Sequence, residues 1–142
     1  RKKFKINSRD NLCCLFASSP LIDHKIINKA FRYKNKFKNN YIISAINYSH
    51  PIERSFQIKD NKIIINFKNT NFAASTSKFN KSYHDAGLFY ISSIKNWLNS
   101  KIILRSKCIA VKVNNLHFQD IDNKEDILIA KIKYKYKQLA KH

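Results

Sequence analysis

The sequence lacks methionine altogether and has only one glycine and two prolines. A chain with a single glycine excludes the glycine-rich loops that cradle phosphates and the Gly-x-Ser-x-Gly turn of serine hydrolases. No apolar run approaches the roughly 20 residues that a membrane-spanning helix needs. The opening residues, RKKFKIN, contain no apolar stretch typical of a signal peptide. Because the natural start codon is not represented, we expect a fragment or a product trimmed at its N-terminus.

Cysteine is also scarce, with three residues at Cys13, Cys14 and Cys108. The count is odd, and neighbours in a strand point to opposite faces and rarely form a disulfide. The sequence has no Cys-x-x-Cys spacing, which argues against a zinc site. We therefore expect reduced, buried thiols and a cytoplasmic protein.

Acidic residues are also few. The sequence has 28 Lys and Arg but only nine Asp and Glu, which gives a net charge of +19. Such a charge suggests nucleic-acid binding. Only five of the basic residues are Arg, however, and the Lys residues are scattered among many Asn and Ile. This composition is typical of an AT-rich genome and favours a diffuse, solvated lysine surface. A basic module that binds nucleic acid or another polyanion remains the rival hypothesis.

The 142 residues are 44% hydrophobic, which predicts a single domain over residues 1–142 with its own core. The predicted order begins with a buried parallel strand in LCCLF and a helix that Ser19 caps, with Pro20 at its first position. A strand over 41–49 and a hairpin within about 50–70 follow. The remaining elements are a strand in GLFYIS, a short helix in SSIKNWLNS, a strand in CIAVKV and a helix over 123–142. Strands that alternate with helices predict an α/β sheet, here with an inserted β-hairpin. Ligands of such sheets bind at the carboxyl ends of the strands, so we expect ASSP, YHDAG and QDID near that edge.

Both long helices have apolar residues at helical spacing. The apolar positions of the first helix are Leu21, Ile22, Ile26, Ala30 and Phe37, and those of the last helix include Ile127, Ala130, Ile132 and Tyr134. The pattern predicts that these side chains face the core.

Acidic residues concentrate in the segment that precedes the last helix, at Asp120, Asp122, Glu125 and Asp126. In an extended segment Asp120 and Asp122 would point the same way and could bind one hard cation such as Mg²⁺. Alternatively, Asp122 is the N-cap of the helix and Glu125 completes a capping box. The capping alternative leaves Asp120 unexplained.

A second polar cluster, Tyr83, His84 and Asp85, precedes the only glycine, Gly87. His84 could act as a general acid or base, or bind an anion when charged. The alternative is a polar turn in which Asp85 forms an Asx turn and Gly87 relieves backbone strain.

Arg54 is an isolated arginine just before the predicted hairpin. Its guanidinium could bind a carboxylate or a phosphate through two hydrogen bonds. An exposed arginine without a functional role is equally compatible with the local sequence.

Four ordered blocks resemble the acylneuraminate (CMP-sialic acid synthetase) family of cytidylyltransferases, and the pseudaminic acid branch most of all. The blocks are CCLFASSPLI, HPIERSFQI, YHDAGLFY and QDIDNKEDILIA. The last two are the specific ones, since that branch has a Tyr-His-Asp-Ala-Gly turn before an aromatic pair and a Gln-Asp-Ile-Asp run before its last helix. The resemblance extends over nearly the whole chain from Asn11 onward.

The resemblance implies a Rossmann-like, GT-A-like nucleotidyltransferase fold whose N-terminal part is missing here. It implies a bacterial, cytoplasmic enzyme that joins a nonulosonic acid to CTP with Mg²⁺ as cofactor. It also implies that the enzyme is a homodimer. By the same resemblance Asp120 and Asp122 match the metal-binding pair, which is also the catalytic pair. The implied substrate-binding residues are Arg54, Tyr83, His84, Asp85 and Gln119, and the implied nucleotide-binding residues are Ser18 and Ser19. The hairpin corresponds to a dimer contact in relatives.

The chain departs from the family pattern in two places. The basic, glycine-rich segment that binds the CTP triphosphate is absent from the sequence. The family's Arg-Ser-Gln-Asp ahead of the Tyr-His-Asp turn is replaced by Ser75, Thr76, Ser77 and Lys78. We therefore do not expect catalysis from these residues alone.

Overall fold

The computed structural model describes residues 5–99 and 102–140. The elements are β1 (Asn11–Leu15), α1 (His24–Lys36), β2 (Tyr41–Asn47), β3 (Phe56–Lys59), β4 (Lys62–Ile65), β5 (Tyr83–Ser93), α2 (Ile94–Asn99), β6 (Cys108–Lys112) and α3 (Lys124–Leu139). Four strands form one sheet in the order β1-β5-β2-β6, and β3 and β4 form a separate pair. The prediction of an α/β protein with a hairpin is confirmed, whereas the Rossmann-like nucleotidyltransferase arrangement stays a prediction.

The chain divides into two compact units. One contains the residues up to Ile46 and those from Asp85 onward, and the other is Asn47–His84. No helix among the described residues is long and apolar enough to cross a membrane.

The core of the larger unit lies between α1 and the two inner strands, β2 and β5. Six consecutive residues of β2, from Tyr41 to Ile46, are buried, as a strand covered on both faces requires. Ala30 of α1 packs into the same cluster as Phe89 and Ile91 of β5. The predicted apolar face of α1 is thus confirmed, with Leu21 also buried and Ile22, Ile26 and Phe37 at the core or against it.

Strand β1 is an antiparallel edge strand, so the prediction of a buried parallel strand was wrong. Among the described residues it pairs with β5 alone, with Cys13 opposite Ile91 and Leu15 opposite Phe89. Leu12 and Leu15 are exposed. The apolar run was read as a strand covered on both faces, but run length does not distinguish an inner strand from an edge strand.

Helix α1 begins after Asp23, so the prediction that Ser19 caps it was also wrong. The Asp23 side chain accepts a hydrogen bond from the Lys25 backbone at 2.6 Å, and this bond lowers the pKa of the Asp23 carboxyl. Ser19 is buried in the preceding turn, where its carbonyl accepts from the Ile22 backbone. The other end of the helix is held by the buried Lys34, whose Nζ donates to the carbonyl of Lys38 and, at 3.1 Å, to that of Asn40.

Strand β5 contains a bulge at Gly87. The backbone of Gly87 has φ +60° and donates to Oδ1 of Asp85 at 3.0 Å. Across the sheet, Oγ of the buried Ser44 accepts from two successive residues, Leu88 at 3.0 Å and Phe89 at 3.4 Å. Two consecutive N–H groups that share one partner indicate an extra residue in the strand. The predicted Asx turn at Asp85 is confirmed, but it lies within the strand rather than in a loop that precedes it.

The hairpin is confirmed, with Lys59 paired to Lys62 around a two-residue turn. Asp60 and Asn61 have φ values of 49° and 61°, as a type I′ turn requires. The strand after the turn ends at Ile65.

Helix α3 is capped by Asn123, so the prediction that Asp122 is the N-cap with Glu125 as its partner was wrong by one residue. The Asn123 side chain accepts from the Glu125 and Asp126 backbones, and Oδ2 of Asp126 accepts from the Asn123 backbone N–H at 3.1 Å. Ala130 is buried as predicted, but Ile127, Ile132 and Tyr134 are exposed. The last helix was predicted to end at His142 and the short helix at Ser100. Both of these residues lie outside the described residues.

Candidate active site

The residues with predicted site roles fall into both units. Ser18, Ser19, Asp85, Gln119, Asp120 and Asp122 lie in the larger unit, and Arg54, Tyr83 and His84 lie in Asn47–His84. The geometry of the candidate site is therefore built within each unit.

Asp120 and Asp122 lie in an irregular segment between the turn at Asn115–His117 and α3, not in a strand. Both side chains are exposed. Oδ1 of Asp120 accepts from the next backbone N–H at 3.1 Å, and the Asp122 carboxylate has no hydrogen bond within the part of the chain that the structure describes. The Asp122 carboxylate is thus available to a ligand.

Gln119 and Asp126 fix the shape of this segment. Gln119 Nε2 donates to Oδ1 of Asp126 at 3.1 Å, and the Gln119 amide oxygen accepts from Lys133 Nζ at 3.0 Å. Oδ2 of Asp126 accepts from the Asp122 backbone at 3.1 Å. Both ends of the Gln119 side chain are engaged, so its position supports a role in holding the Asp120–Asp122 segment.

The acidic pair has the chemistry of a magnesium site. Over residues 5–99 and 102–140, no group of three or more His, Cys, Asp or Glu side chains is placed to hold a metal ion. Mg²⁺ is usually bound by one or two carboxylates together with substrate phosphates, which needs no such group. Two exposed carboxylates fit that mode, and magnesium at Asp120 and Asp122 stays a prediction.

Asp85 is fully engaged inside its own strand. Its Oδ2 accepts a hydrogen bond from the phenol of Tyr90, and its Oδ1 accepts from Gly87. Burial, and then the hydrogen bond to Asp85, raise the pKa of Tyr90 well above its ordinary value. The Phe16 ring packs edge-on against Tyr90 with 5.6 Å between ring centroids. Asp85 therefore has a supporting role within β5, where it holds the Tyr90 side chain and the Gly87 backbone.

His84 and Tyr83 begin β5 within the smaller unit. The His84 ring lies 4.8 Å from the Tyr48 ring, centroid to centroid, at a tilt of 51°. Tyr83 is exposed. Tyr48 also lines a cavity of about 720 Å³, together with Ser49, His50, Pro51, Ile52, Arg54, Ser55 and Phe67. Tyr48 is the residue shared by this cavity and the ring contact with His84, and sugar binding by His84 and Tyr83 stays a prediction.

Arg54 is bound to the loop that follows the hairpin. Its Nη2 donates to the carbonyl of Ala74 and, at 3.4 Å, to that of Phe72, while Nη1 donates to Oγ1 of Thr76 at 3.4 Å. The guanidinium also lies 5.3 Å from the centroid of the Phe79 ring. In this arrangement Arg54 positions the loop, and direct contact with a substrate stays a prediction.

Ser18 and Ser19 lie in the turn after β1. Ser18 is half-buried, and Ser19 is buried with its backbone N–H donating to the carbonyl of Phe16 at 3.2 Å. The turn follows directly on the residue whose ring packs against Tyr90. A nucleotide-binding role for the two serines stays a prediction.

The sequence interpretation did not single out Lys133, noted Asp126 only among the acidic residues before the last helix, and placed Tyr90 only in the aromatic pair of the resemblance. A glycine inside a strand pattern is a signal for a bulge and could have led to Tyr90. Asp126 and Lys133 lie on one face of α3, seven residues apart, and polar residues at that spacing could have indicated a buried polar contact.

The chain is similar to pseudaminic acid cytidylyltransferases of two strains of Campylobacter jejuni subsp. jejuni, with 32% identity over 127 residues in each case. Each match covers 89% of this chain and 54% of the relative, so the chain spans about half the length of these relatives. A Helicobacter pylori protein, named pseudaminic acid cytidylyltransferase and UDP-2,4-diacetamido-2,4,6-trideoxy-beta-L-altropyranose hydrolase, is 29% identical over 121 residues, which are 84% of this chain and 23% of that protein. No protein-family model matches the chain. The predicted resemblance is therefore confirmed, and the chain is homologous to pseudaminic acid cytidylyltransferases over most of its length.

Proposed function

We propose that the protein acts in the CTP-dependent activation of a nonulosonic acid of the pseudaminic type, which yields the CMP-sugar and pyrophosphate. The observation that carries this proposal is the 32% identity to pseudaminic acid cytidylyltransferases over 89% of the chain. The rival polyanion-binding function has no comparable support, because the excess lysine is scattered along the sequence.

In the proposed reaction the anomeric hydroxyl oxygen of the sugar attacks the α-phosphorus of CTP. The new bond joins that oxygen to phosphorus, the bond to the β-phosphate oxygen breaks, and pyrophosphate leaves while the hydroxyl proton passes to a base or to water. Positioning and neutralisation of charge supply most of the catalysis in such transfers.

Asp120 and Asp122 would hold Mg²⁺, which neutralises the phosphate charge when bound. The contacts around the pair support this role, since Gln119 and Asp126 fix the backbone and leave the Asp122 carboxylate outward. Gln119, predicted as a substrate-binding residue, would act as a positioning residue for the acidic pair.

For the sugar, Tyr83 and His84 are the proposed contacts, with the His84 ring packed at a tilt against Tyr48. Asp85 and Arg54 are proposed as supporting residues, each within its own unit, because Asp85 accepts from Tyr90 and Arg54 donates to loop carbonyls. Ser18 and Ser19 are the proposed nucleotide contacts.

A homodimer formed through the hairpin is part of this proposal. Both faces of the hairpin are exposed although they carry apolar side chains, of which Ile58 is 70% exposed and Ile63 is 62% exposed. Exposed apolar patches of this kind mark interaction surfaces. Replacing both isoleucines by Asp should turn a dimer into a monomer in sedimentation velocity experiments, and a wild-type monomer at all concentrations would contradict the dimer.

The activity is tested in a chimaera in which this chain replaces the matched region of the Campylobacter enzyme. We expect pyrophosphate release that requires Mg²⁺, CTP and pseudaminic acid. Asp122→Asn should lower the rate about 100-fold or more, as loss of a transition-state charge contact does. Glu125→Gln, a neighbouring exposed carboxylate, is the matched control and should stay within about twofold of wild type.

Two results would count against the proposal. One is a folded chimaera without turnover, together with tight, salt-sensitive RNA binding by the chain, which would favour the rival function. The other is full Mg²⁺-dependent turnover in Asp122→Asn, which would leave the acidic segment a purely structural role.

A further inference from the structure

The end of helix α1 borders a polar cavity that contains none of the predicted site residues. Its volume is about 720 Å³, and it lies between that helix end, the start of β1 and the junction of β5 with α2. Four of the ten lining residues are cationic, namely Arg9, Lys34, Lys38 and Lys95, and the other six are serines and asparagines. Within the described residues no acidic or apolar side chain lines it. A cavity of this size and composition suits a polar, negatively charged ligand.

The fold gathers these cations from separate segments of the chain. The Lys95 backbone at the start of α2 donates to the carbonyl of Ser8 at 2.9 Å. Nδ2 of Asn96 donates to the carbonyl of Asn39, after the end of α1, at 3.2 Å. Each bond engages a residue that is, or is next in sequence to, one of the four cations. Lysines that are scattered in the sequence are therefore held around one cavity.

Lys34 is a buried cation without a carboxylate partner. It is 2% exposed, and its Nζ donates to the carbonyl of Lys38 and, at 3.1 Å, to that of Asn40. Among the described residues no Asp or Glu forms an ion pair with it. Burial of a charge without a counter-charge is costly, and here it lowers the pKa of the amine. An ammonium has three N–H groups, so one remains for a ligand after these two bonds.

The other three cations of the cavity are also without acidic partners. The acidic residue nearest to them in sequence is Asp10, whose Oδ2 accepts from the Asn7 backbone at 2.8 Å and which does not line the cavity. In the part of the chain that the structure describes, the side chains of Arg9, Lys38 and Lys95 form no ion pair. Charges of one sign that line a cleft reinforce one another and concentrate ions of the opposite sign.

We propose that this cavity binds a chain of two or three linked phosphate groups, as in pyrophosphate, inorganic triphosphate or the triphosphate of a nucleotide. The Arg9 guanidinium can hold one phosphate through two hydrogen bonds, and the lysines supply point charges for the others. A single phosphate would contact only some of the four cations. The cavity lies at the opposite end of β5 from Asp85, and the proposed binding does not require the proposed activity.

Isothermal titration calorimetry of the 142-residue chain with inorganic triphosphate tests the site. Salt at about 0.15 M screens long-range attraction, so binding that persists there is local. We expect a dissociation constant below about 100 μM for triphosphate. Inorganic phosphate should bind at least about tenfold more weakly, because it makes fewer charge-assisted contacts. Tighter binding of ATP than of triphosphate would identify a nucleotide as the source of the phosphates, and equal binding would identify the phosphate chain alone.

Two double variants with the same loss of charge separate the cavity from the rest of the surface. Lys38→Gln with Lys95→Gln should weaken triphosphate binding at least about tenfold. Lys131→Gln with Lys135→Gln, on α3, is the matched control and should stay within about twofold of wild type. All four lysines are exposed, so both variants should keep the melting temperature within about 2 °C of wild type.

Acylation of lysines, followed by mass spectrometry, locates the ligand without a substitution. At about ten times its dissociation constant, triphosphate should slow acylation of Lys38 and Lys95 about fivefold or more, since only the unbound protein reacts there. Lys131 and Lys135 should react at the same rate with and without the ligand.

Four results would overturn the proposal. The first is the absence of triphosphate binding up to about 1 mM. The second is equal weakening in the two double variants, which would assign binding to the overall charge of the chain. The third is binding that neither depends on Lys38 and Lys95 nor protects them, which would place the ligand elsewhere. The fourth is salt-sensitive RNA binding that needs these two lysines, without triphosphate binding, which would assign the surface to a nucleic acid. None of these readouts depends on turnover, so failure of this proposal is distinguishable from failure of the proposed activity.

Discussion

The phenol of Tyr90 donates a hydrogen bond to Oδ2 of Asp85, five residues earlier in the same strand. In a regular strand, residues five apart point to opposite faces and lie roughly 16 Å from each other along the chain. The strand is irregular between the two residues, because Gly87 has φ +60° and its backbone donates to the same Asp85 carboxylate. The contact between Tyr90 and Asp85 therefore spans the irregular part of β5.

Tyr90→Phe should lower the free energy of unfolding by about 1–2 kcal/mol, because one oxygen of the half-buried Asp85 loses its donor. Urea denaturation measures the change. Tyr136→Phe, which removes a hydroxyl from an exposed ring on α3, is the control and should stay within about 0.5 kcal/mol of wild type. Equal effects of the two variants would show that the Asp85 contact contributes nothing specific.

The same contact should appear in the alkaline stability of the protein. The pKa of Tyr90 is raised in the folded chain by burial and by Asp85, whereas an unfolded tyrosine has a pKa of about 10. The stabilisation is therefore complete below about pH 10 and is lost as the pH rises further, since the unfolded chain releases its proton first. In urea titrations from about pH 9 to 11, the free energy of unfolding should fall less steeply with pH for Tyr90→Phe than for wild type. Parallel declines would contradict the raised pKa.

Gly87→Ala tests the backbone of the bulge. A Cβ at Gly87 would meet no atom within 4 Å, so the cost comes from φ +60° alone. We expect a loss of about 1–2 kcal/mol in the free energy of unfolding. Gly87→Asn should cost less, because asparagine tolerates this conformation. If alanine were no worse than asparagine, backbone strain would not be the reason for glycine at this position.

Asp126→Ala tests the support of the acidic segment. The variant removes the capping box of α3 and the contact to Gln119, and should cost about 1–2 kcal/mol. Hydrogen exchange should also become faster at the Asp122 and Asn123 amides, which Asp126 holds. Glu125→Ala, in the same turn, should cost only about 0.5 kcal/mol through the helix dipole. Unchanged exchange at Asp122 would show that the segment is held by other contacts.

Arg54→Lys tests the loop after the hairpin. Lysine carries one ammonium group and cannot reproduce the three hydrogen bonds that the guanidinium donates to Phe72, Ala74 and Thr76. Hydrogen exchange in residues 71–79 should accelerate about tenfold, which corresponds to a loss of about 1.4 kcal/mol in local stability. Arg32→Lys, on the exposed side of α1, should leave the loop unchanged. If both variants gave the same exchange rates, Arg54 would be free for another role.

The sequence was most informative where the pattern is local. The β-hairpin and the apolar face of α1 follow from short-range patterns and were predicted. The position of β1 at the edge was not, because strand order depends on contacts between distant segments. Caps were misplaced at Ser19 and Asp122 because several adjacent residues can all serve as N-caps, and packing selects among them.

For the candidate site, sequence blocks identified the residues but not their contacts. The resemblance indicated Asp85 and Arg54 without showing that both are engaged with other parts of their own unit. These contacts depend on the bulge and on the path of the loop, which residue spacing alone does not determine.

Lys34 has a practical consequence in a chain so rich in lysine. It is 2% exposed, burial lowers the pKa of its amine, and its Nζ is bound to the carbonyls of Lys38 and Asn40. An acylating reagent reaches the exposed Lys36 directly, but it reaches Lys34 only when the end of α1 opens. The rate of acylation at Lys34 relative to Lys36, measured by mass spectrometry, therefore reports local opening of this helix end in the unsubstituted chain.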